Sequence, residues 1–535
     1  MRLKRRSFLG ATAGLASAGL AAGGLAMPAL AAGEADKVLK FVPQANLTSL
    51  DPIWTTAAVT AEHAWYVFDT LYGVDSQFRP HPQMAAGHSV SSDGRTWTIR
   101  LREGLTFHDG TPVRAADCAA SLRRWAARDT FGVTVAGFVT EWQAKDDHTL
   151  VVHLKQPFPM LIDALAKPAS SSPFIMPERL AKTDPSVQIT EMVGSGPYMF
   201  EPKEYVSGSR VVYKRFDKFR PAAGKPSWYS GAKIAHFERV EWHIIPDSAT
   251  ASAALQSGEI DWWELVDADL IPLLKTQKHI HIGMADPAGY LGVIRFNELW
   301  PPFNNVLMRQ AVMHTVDQRE YMGAVTNNDP TAWRPNHSFF PVGTPYGKPI
   351  SPDPMAKPNW KLAHKLVKEA GYKGEKIVLL NPTDFPTIKP FGEITYANLR
   401  KLGLNVELVE TDWGTVVQRR ELKTAPDKGG WNIFHTWWTG DGIMNPAINP
   451  IIRGQGAKGW FGWYNSPKME AMNRAWLSAK TPAEQARIVQ AMQVLAFHDV
   501  PTVPLGLFYI HTAYRSSLAG HVRAPTAVPW GIHRV

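Results

Sequence analysis

The sequence predicts an α/β protein built from several structural units. Three observations point there. Strand-like and helix-like segments alternate along most of the chain. The length, 535 residues, exceeds what one core supports and divides into about three units at roughly 100–200 residues per domain. The composition, 45% hydrophobic and 20% charged, is that of an ordinary globular chain and excludes a disordered or fibrous one. The 20 tryptophans require either a large aromatic core or an aromatic-lined cleft, and composition does not choose between them.

Residues 1–32 read as an export signal. Lys4-Arg5-Arg6-Ser7-Phe8-Leu9 is a twin-arginine leader, an Ala/Gly/Leu-rich stretch follows, and Ala29-Leu30-Ala31 is a small-x-small cleavage site. Pro28 and the Ala/Gly content argue against a retained membrane anchor, and the absence of a nearby cysteine argues against a lipoprotein. The expected product is soluble and periplasmic. Removing the four basic residues of the signal lowers the net charge from +9 to +5. Lys and Arg are scattered without a run of five, so no nucleic-acid partner is expected. No later stretch is long and apolar enough to span a membrane.

The mature chain opens with a strand, Val38 to Val42, then a helix from Thr60 to Leu71. Thr96 to Leu101 alternates as a strand, and His108-Asp109-Gly110-Thr111-Pro112 is a turn. A helix from about Ala115 to Arg128 carries the lone cysteine, Cys118, as a buried core thiol. Val211 to Tyr213 and Val240 to Ile245 are strands, and Thr250 to Gln256 is a helix closed by Gly258. Tyr290 to Asn297 is a strand, and one helix is expected over Asn305 to Met322. Asn359 to Gly371 is the cleanest helix, capped by Asn359, striped by Leu362, Leu366, Val367 and Ala370, and stopped by Gly371. Ile377 to Leu380, Val406 to Val409 and Ile433 to Trp438 are strands of a second α/β unit.

Catalytic signatures are missing. There is no Gly-x-Ser-x-Gly elbow and no His-Glu-x-x-His. Gly343-Thr344-Pro345-Tyr346-Gly347-Lys348 has the wrong spacing for a phosphate loop, and Gly194-Ser195-Gly196 lacks the third glycine of a dinucleotide loop. One cysteine excludes a disulfide framework and a cysteine-based metal cluster. His279 and His281 share a strand face, but two histidines without a third ligand make a weak metal site. No cofactor is expected.

Ordered blocks carry the positive signal. They are Leu50-Asp51-Pro52, Phe68-Asp69-Thr70-Leu71, Ser92-Asp93-Gly94, the run from Leu101 through Phe107-His108-Asp109-Gly110-Thr111-Pro112, Gly194-Ser195-Gly196-Pro197-Tyr198, Leu255 through Asp261, Phe296-Asn297, Arg309-Gln310-Ala311, Val316-Asp317 and Glu369-Ala370-Gly371-Tyr372. In this order the chain resembles the family 5 extracellular solute-binding proteins, which serve ABC importers of peptides, nickel chelates and related solutes. The resemblance implies a two-lobed periplasmic-binding-protein fold (type II) with an extra subdomain in lobe 1. Lobe 1 is then residues 33–79, 191–290 and 504–535, the extra subdomain 80–190, and lobe 2 291–503. The crossings are expected near Leu291 and Val503, with ligand held between the lobes at strand ends. The blocks themselves read as scaffold, mostly turn and cap chemistry.

Site residues follow from the same resemblance. Trp437-Trp438-Thr439-Gly440-Asp441 resembles the Trp-Thr-Gly-Asp segment of dipeptide-binding members, whose aspartate takes the peptide amine. Carried over, Asp441 anchors a cationic group and Trp438 forms an apolar wall, with Thr439 and Gly440 alongside. Strand alternation lets only one of Trp437 and Trp438 face the cleft. Asp412-Trp413 matches another pocket position, so Trp413 is a candidate. Trp54, Thr55, Thr56 and Phe508 are weaker candidates. The loop Asn381-Pro382-Thr383-Asp384-Phe385-Pro386 lacks the arginine that dipeptide-binding members use for the ligand carboxylate, so that clamp is missing or moved. The expected function is a monomeric receptor for a small peptide-like, amine-bearing or aromatic solute, delivering it to the membrane subunits of an ABC importer by hinge closure. The competing readings are a Tat-exported enzyme with an unrecognised site and a binding protein repurposed as sensor or chaperone. A nickel chelate is favoured if histidines converge on the cleft.

Overall fold

Residues 37–535 are described by the computed structural model; the export-signal reading of residues 1–32 lies outside them. Strand Val38–Val42 buries Leu39 and Phe41 and sits inside a seven-stranded sheet. The spatial order is Tyr198–Phe200, Arg210–Arg215, Arg239–His243, Val38–Val42, Trp262–Val266, His511–Arg515 and Ile280–Met284. The Val38–Val42 strand is parallel to both neighbours, and its register puts Phe41 beside Trp242 and Trp262, with ring centroids at 5.5 and 4.6 Å. Val38 and Lys40, on the other face, are only half-buried, so the first four residues alternate as a strand with one face in the core.

A second sheet has six strands in the order Trp333–Arg334, Thr502–Phe508, Tyr290–Phe296, Ile433–Thr439, Ile377–Pro382 and Val406–Thr411. Its last three strands are mutually parallel and end together on one side. The two sheets are the cores of the two lobes. The chain passes between them at 285–289 and at 509–510, and the passages are hydrogen-bonded through Ala285 N–H to the Ile510 carbonyl at 2.9 Å. The second passage therefore lies beyond the expected Val503. Thr502–Phe508 is a full strand paired with Tyr290–Phe296, and a boundary at 504 would cut it. Pro504 carries no N–H, yet it sits at a register shift, where a proline is tolerated within a sheet.

Residues within 80–190 form their own antiparallel sheet, ordered Ala85–Val90, Thr96–Leu101, Thr149–Leu154 and Val139–Asp146, with helix Ala115–Arg128 packed on it. The sequence blocks pin this unit to the first lobe. Asp51 accepts from the Ile53 and Trp54 amides, pairs with Arg124 at 2.6 Å and accepts from the Ile189 amide at 3.0 Å. His108 joins two blocks: its Nε2 lies 3.0 Å from the Gly196 carbonyl and its Nδ1 3.3 Å from the Gly194 amide. Burial pushes its imidazole down to about 4, so it serves as a neutral strut.

Local expectations differ from the structure in two places. The helix over Asn305 to Met322 is two helices, Val306–Met313 capped by Asn305 and Gln318–Val325 capped by Asp317. Asp317 takes the Arg319 amide at 3.0 Å, and such a cap starts a helix rather than continuing one. In Trp360–Glu369 the buried positions are Ala363 and Leu366, and Leu362, Val367 and Ala370 are only half-buried. Helix Ser248–Ser257 ends, as its glycine requires, with Gly258 at φ 84°.

Candidate functional site

The parallel strands of the second lobe end at the seam between the lobes, where open α/β sheets place ligands. Facing them are first-lobe loops bearing Gln44, Thr56–Ala58, Ala169–Ser170 and Thr526. Between them lies a neck of about 30 Å³, room for about one water. The neck shares Thr56, Ser170, Trp438 and Trp460 with a chamber of about 390 Å³, and Gln44 and Phe385 with a chamber of about 460 Å³ on the other side. Two hydrogen bonds close it across the seam: Trp460 Nε1 to Thr56 Oγ1 at 3.2 Å, and Arg420 Nη2 to Thr55 Oγ1 at 3.2 Å.

Trp413, Trp438, Thr439 and Thr56 line the neck, and Trp54 lines the 390 Å³ chamber. Thr55 is buried and reaches the seam only through Arg420. Trp437 also lines the neck, against the expectation from alternation, because the strand ends at Thr439 and the chain turns there, leaving both indoles at the rim. Trp437 Nε1 donates to Thr387 Oγ1 at 3.1 Å, whereas the buried Trp438 Nε1 has no partner. Phe508 is not a wall residue. It pairs with Tyr290 and Trp333 inside the second sheet and packs on Tyr290 and Phe391. Gly440 acts through its backbone: its N–H donates to the Gly289 carbonyl at 2.8 Å, and an added Cβ would lie 2.5 Å from the Ala288 oxygen. The segment bearing Asp441 is thereby tied to the first interlobe passage.

Asp441 is completely buried; the Thr439 hydroxyl and the Gly442 amide lie near its carboxylate and favour its charge, but neither oxygen meets full hydrogen-bond geometry. Burial pushes its carboxyl up to about 6. Asp286, on the first passage, is also buried; Oδ1 accepts from the Ala288 amide at 2.8 Å and Oδ2 has no partner. Burial, then repulsion from Asp441, holds its carboxyl well above the usual range. The cation acting on Asp441 is Lys167, already paired with Asp129 at 3.1 Å. A second acidic pair, Glu62 and Glu264, stands behind Gln44, whose N–H donates to Glu264 at 2.7 Å. Burial raises both, Glu264 to about 7. The seam is thus backed by carboxyls short of cations.

Arg420 stands on the opposite account. Helix Trp413–Arg419 starts on the Asp412 cap, and the spacing from Trp413 to Arg420 is two turns, so both reach the neck from one face. The guanidinium is buried against Trp413, Phe434 and Phe461, with its carbon 5.3, 5.7 and 4.9 Å from the ring centroids. Burial pushes it down to about 10. Among the described residues no three His, Cys, Asp or Glu side chains are arranged to hold a metal ion. His279 is bonded to the Gln256 carbonyl at 3.1 Å and His281 packs on Tyr514, so neither reaches the neck.

The family model of the bacterial extracellular solute-binding proteins, family 5 (Middle), matches residues 79–460. The chain belongs to this family. Among curated relatives, "Probable peptide ABC transporter periplasmic-binding protein y4tO" of Sinorhizobium fredii is 37% identical, over 100% of both chains. The glutathione-binding protein GsiB of Escherichia coli is 26% identical, over 89% of this chain and 90% of that one. Two solved structures share the fold. The periplasmic binding protein AgaA of A. tumefacien R10, in complex with agropinic acid, has a TM-score of 0.78 at 19% identity and covers 93% of this chain and 99% of its own. A dipeptide-binding protein of Pseudoalteromonas sp. SM9913, in complex with Met-Leu, has a TM-score of 0.75 at 20% identity over 93% and 100%.

This family 5 solute-binding protein therefore has the two-lobed type II architecture expected from its sequence blocks. The tryptophan count serves both purposes left open by composition: Trp65, Trp125, Trp242, Trp431 and Trp530 are core, and Trp413, Trp437, Trp438 and Trp460 line the seam. Sequence reasoning missed Trp460, Gln44 and Arg420. The first two come from loops with no pattern. Arg420 was legible, because an arginine two helical turns after a pocket tryptophan shares its face.

Proposed function

We propose that this protein is the periplasmic receptor of an ABC importer, holding a small peptide-like solute with a free amine between its lobes and presenting it as a monomer to the membrane subunits. The observation that carries the reading is Asp441: a fully buried carboxylate two residues past the neck-lining Thr439, with no salt-bridge partner among the described residues, the nearby Lys167 being paired with Asp129. An ammonium group placed there gains charge-assisted hydrogen bonds and offsets the cost of burying the Asp441 charge. Trp438, Trp413 and Trp460 supply apolar and cation–π walls. Glutathione and Met-Leu, named for a relative and a neighbour, are peptides with a free amine and support this class. The test is native mass spectrometry of protein taken from the periplasm without refolding. One adduct of amine-bearing, peptide-like mass, lost in Asp441→Ala, supports the proposal. A redox cofactor or a bare metal ion in place of a solute refutes it.

A further inference from the structure

We infer that Arg420 is the anion-binding residue of the cleft, receiving a carboxylate of the solute, so that the bound species is a zwitterion gripped at both charges. The inference rests on the receptor reading above and adds the second half of the ligand.

Five arginines are buried among the described residues. Arg124 pairs with Asp51 at 2.6 Å, Arg309 with Glu298 at 3.3 Å and Arg453 with Glu470 at 2.5 Å. Arg295 lacks a carboxylate at salt-bridge distance but donates to the Phe461, Ile451 and Pro501 carbonyls and to Thr502 Oγ1. Arg420 has neither kind of support. Its one hydrogen bond is to the Thr55 hydroxyl, and its Nε is buried without a partner. Glu421, adjacent in sequence, is taken by Arg128 at 3.2 Å. A guanidinium keeps its charge at any ordinary pH and presents five donors in a rigid fork, so burying it with one neutral acceptor is costly. The three aromatic rings fix where it sits without satisfying its N–H groups.

Its position supplies the missing acceptor. Arg420 lines the neck, and its sole bond crosses to the other lobe, along the path a solute takes between them. A carboxylate entering as the Thr55 bond opens accepts from Nη2 and from the orphan Nε beside it, the geometry for which arginine is preferred over lysine.

The test compares three dipeptide pools by thermal shift and calorimetry: free acids, C-terminal amides and N-acetylated acids. They are added to wild type, Arg420→Lys and Arg420→Met, each first stripped of copurified solute. The expected result is that free acids bind wild type at least about tenfold more tightly than amides, that the preference vanishes in Arg420→Met, and that Arg420→Lys retains part of it. Equal affinity for acids and amides in wild type overturns the inference while the receptor reading stands. If N-acetylated acids bind as well as free acids, the amine half of the receptor reading fails and the Arg420 assignment stands. If no pool binds wild type, the ligand-free midpoints decide. An unpaired cation predicts Arg420→Met as stable as wild type or more so, and a destabilised Arg420→Met identifies a structural plug and overturns the inference.

Discussion

Replacing Asp441 by asparagine separates a carboxylate kept for a ligand from one kept for the fold. The side chain is fully buried, and its carboxyl moves from an ordinary value of 3.8 up to about 6. Raised above its unfolded value, the group binds its proton more tightly in the native state. Below pH 3.8 both states are neutral and nothing is lost, and stability then falls as pH rises through about 6. The full shift, about two units at 1.36 kcal/mol each, is a penalty of about 3 kcal/mol in the ligand-free protein at pH 7.5. Asp441→Asn keeps the shape and removes the penalty. Its stability relative to wild type is therefore expected to climb by about 1.4 kcal/mol per pH unit across that window and then level off. Denaturant midpoints followed by tryptophan fluorescence at pH 4, 5, 6 and 7.5 read this out, and the same samples report the loss of ligand-induced stabilisation. Asp286→Asn is expected to leave this window in place, because burial and Asp441 hold the Asp286 carboxyl well above the usual range and the Asp441 shift comes from burial. A difference that stays constant with pH, or an Asp441→Asn protein that is weaker at pH 7.5, would show that the carboxylate already has its counter-charge and is not waiting for an amine.

Three further outcomes are expected. Asp51→Ala leaves Arg124 charged and buried without its carboxylate and frees three amides, so thermal or denaturant unfolding is expected to show a loss of about 3–5 kcal/mol with little change in solute preference. Gly440→Ala drives a methyl to 2.5 Å from the Ala288 oxygen; the strain, about 1–3 kcal/mol, displaces the Asp441 segment from the first passage, and calorimetry is expected to show weaker binding together with a lower midpoint. Burial pushes the Cys118 thiol far up, so a thiol reagent is expected to label it only on global unfolding, at a rate independent of ligand concentrations that leave unfolding unchanged.

Much of this molecule is local, and what is local was readable. Asn359 and Asn305 cap the helices assigned to them, Gly258 ends its helix, and Ile433–Thr439 delivers Asp441 to the seam because a strand end is encoded where it occurs. The failures share a cause. Phe508 was placed in the cleft because the second passage was set at Val503, and a strand that continues to Phe508 differs from a linker only in what it pairs with. One helix is expected where Val306–Met313 and Gln318–Val325 stand because an aspartate inside a helical pattern shows itself as a cap only by the amide it takes, here that of Arg319. Trp460 and Gln44 come from segments far apart in sequence and meet only when the lobes do.

The neck has a mechanical meaning. With the seam drawn this tight the neck has room for about one water, and solute-sized space lies in the chambers of about 390 and 460 Å³ on either side. A cargo that spans both chambers has to part Trp460 from Thr56 and Arg420 from Thr55, and the two passages joining the lobes are bonded to each other at Ala285 and Ile510. The angle between the lobes then works as a caliper, set by the girth of the cargo.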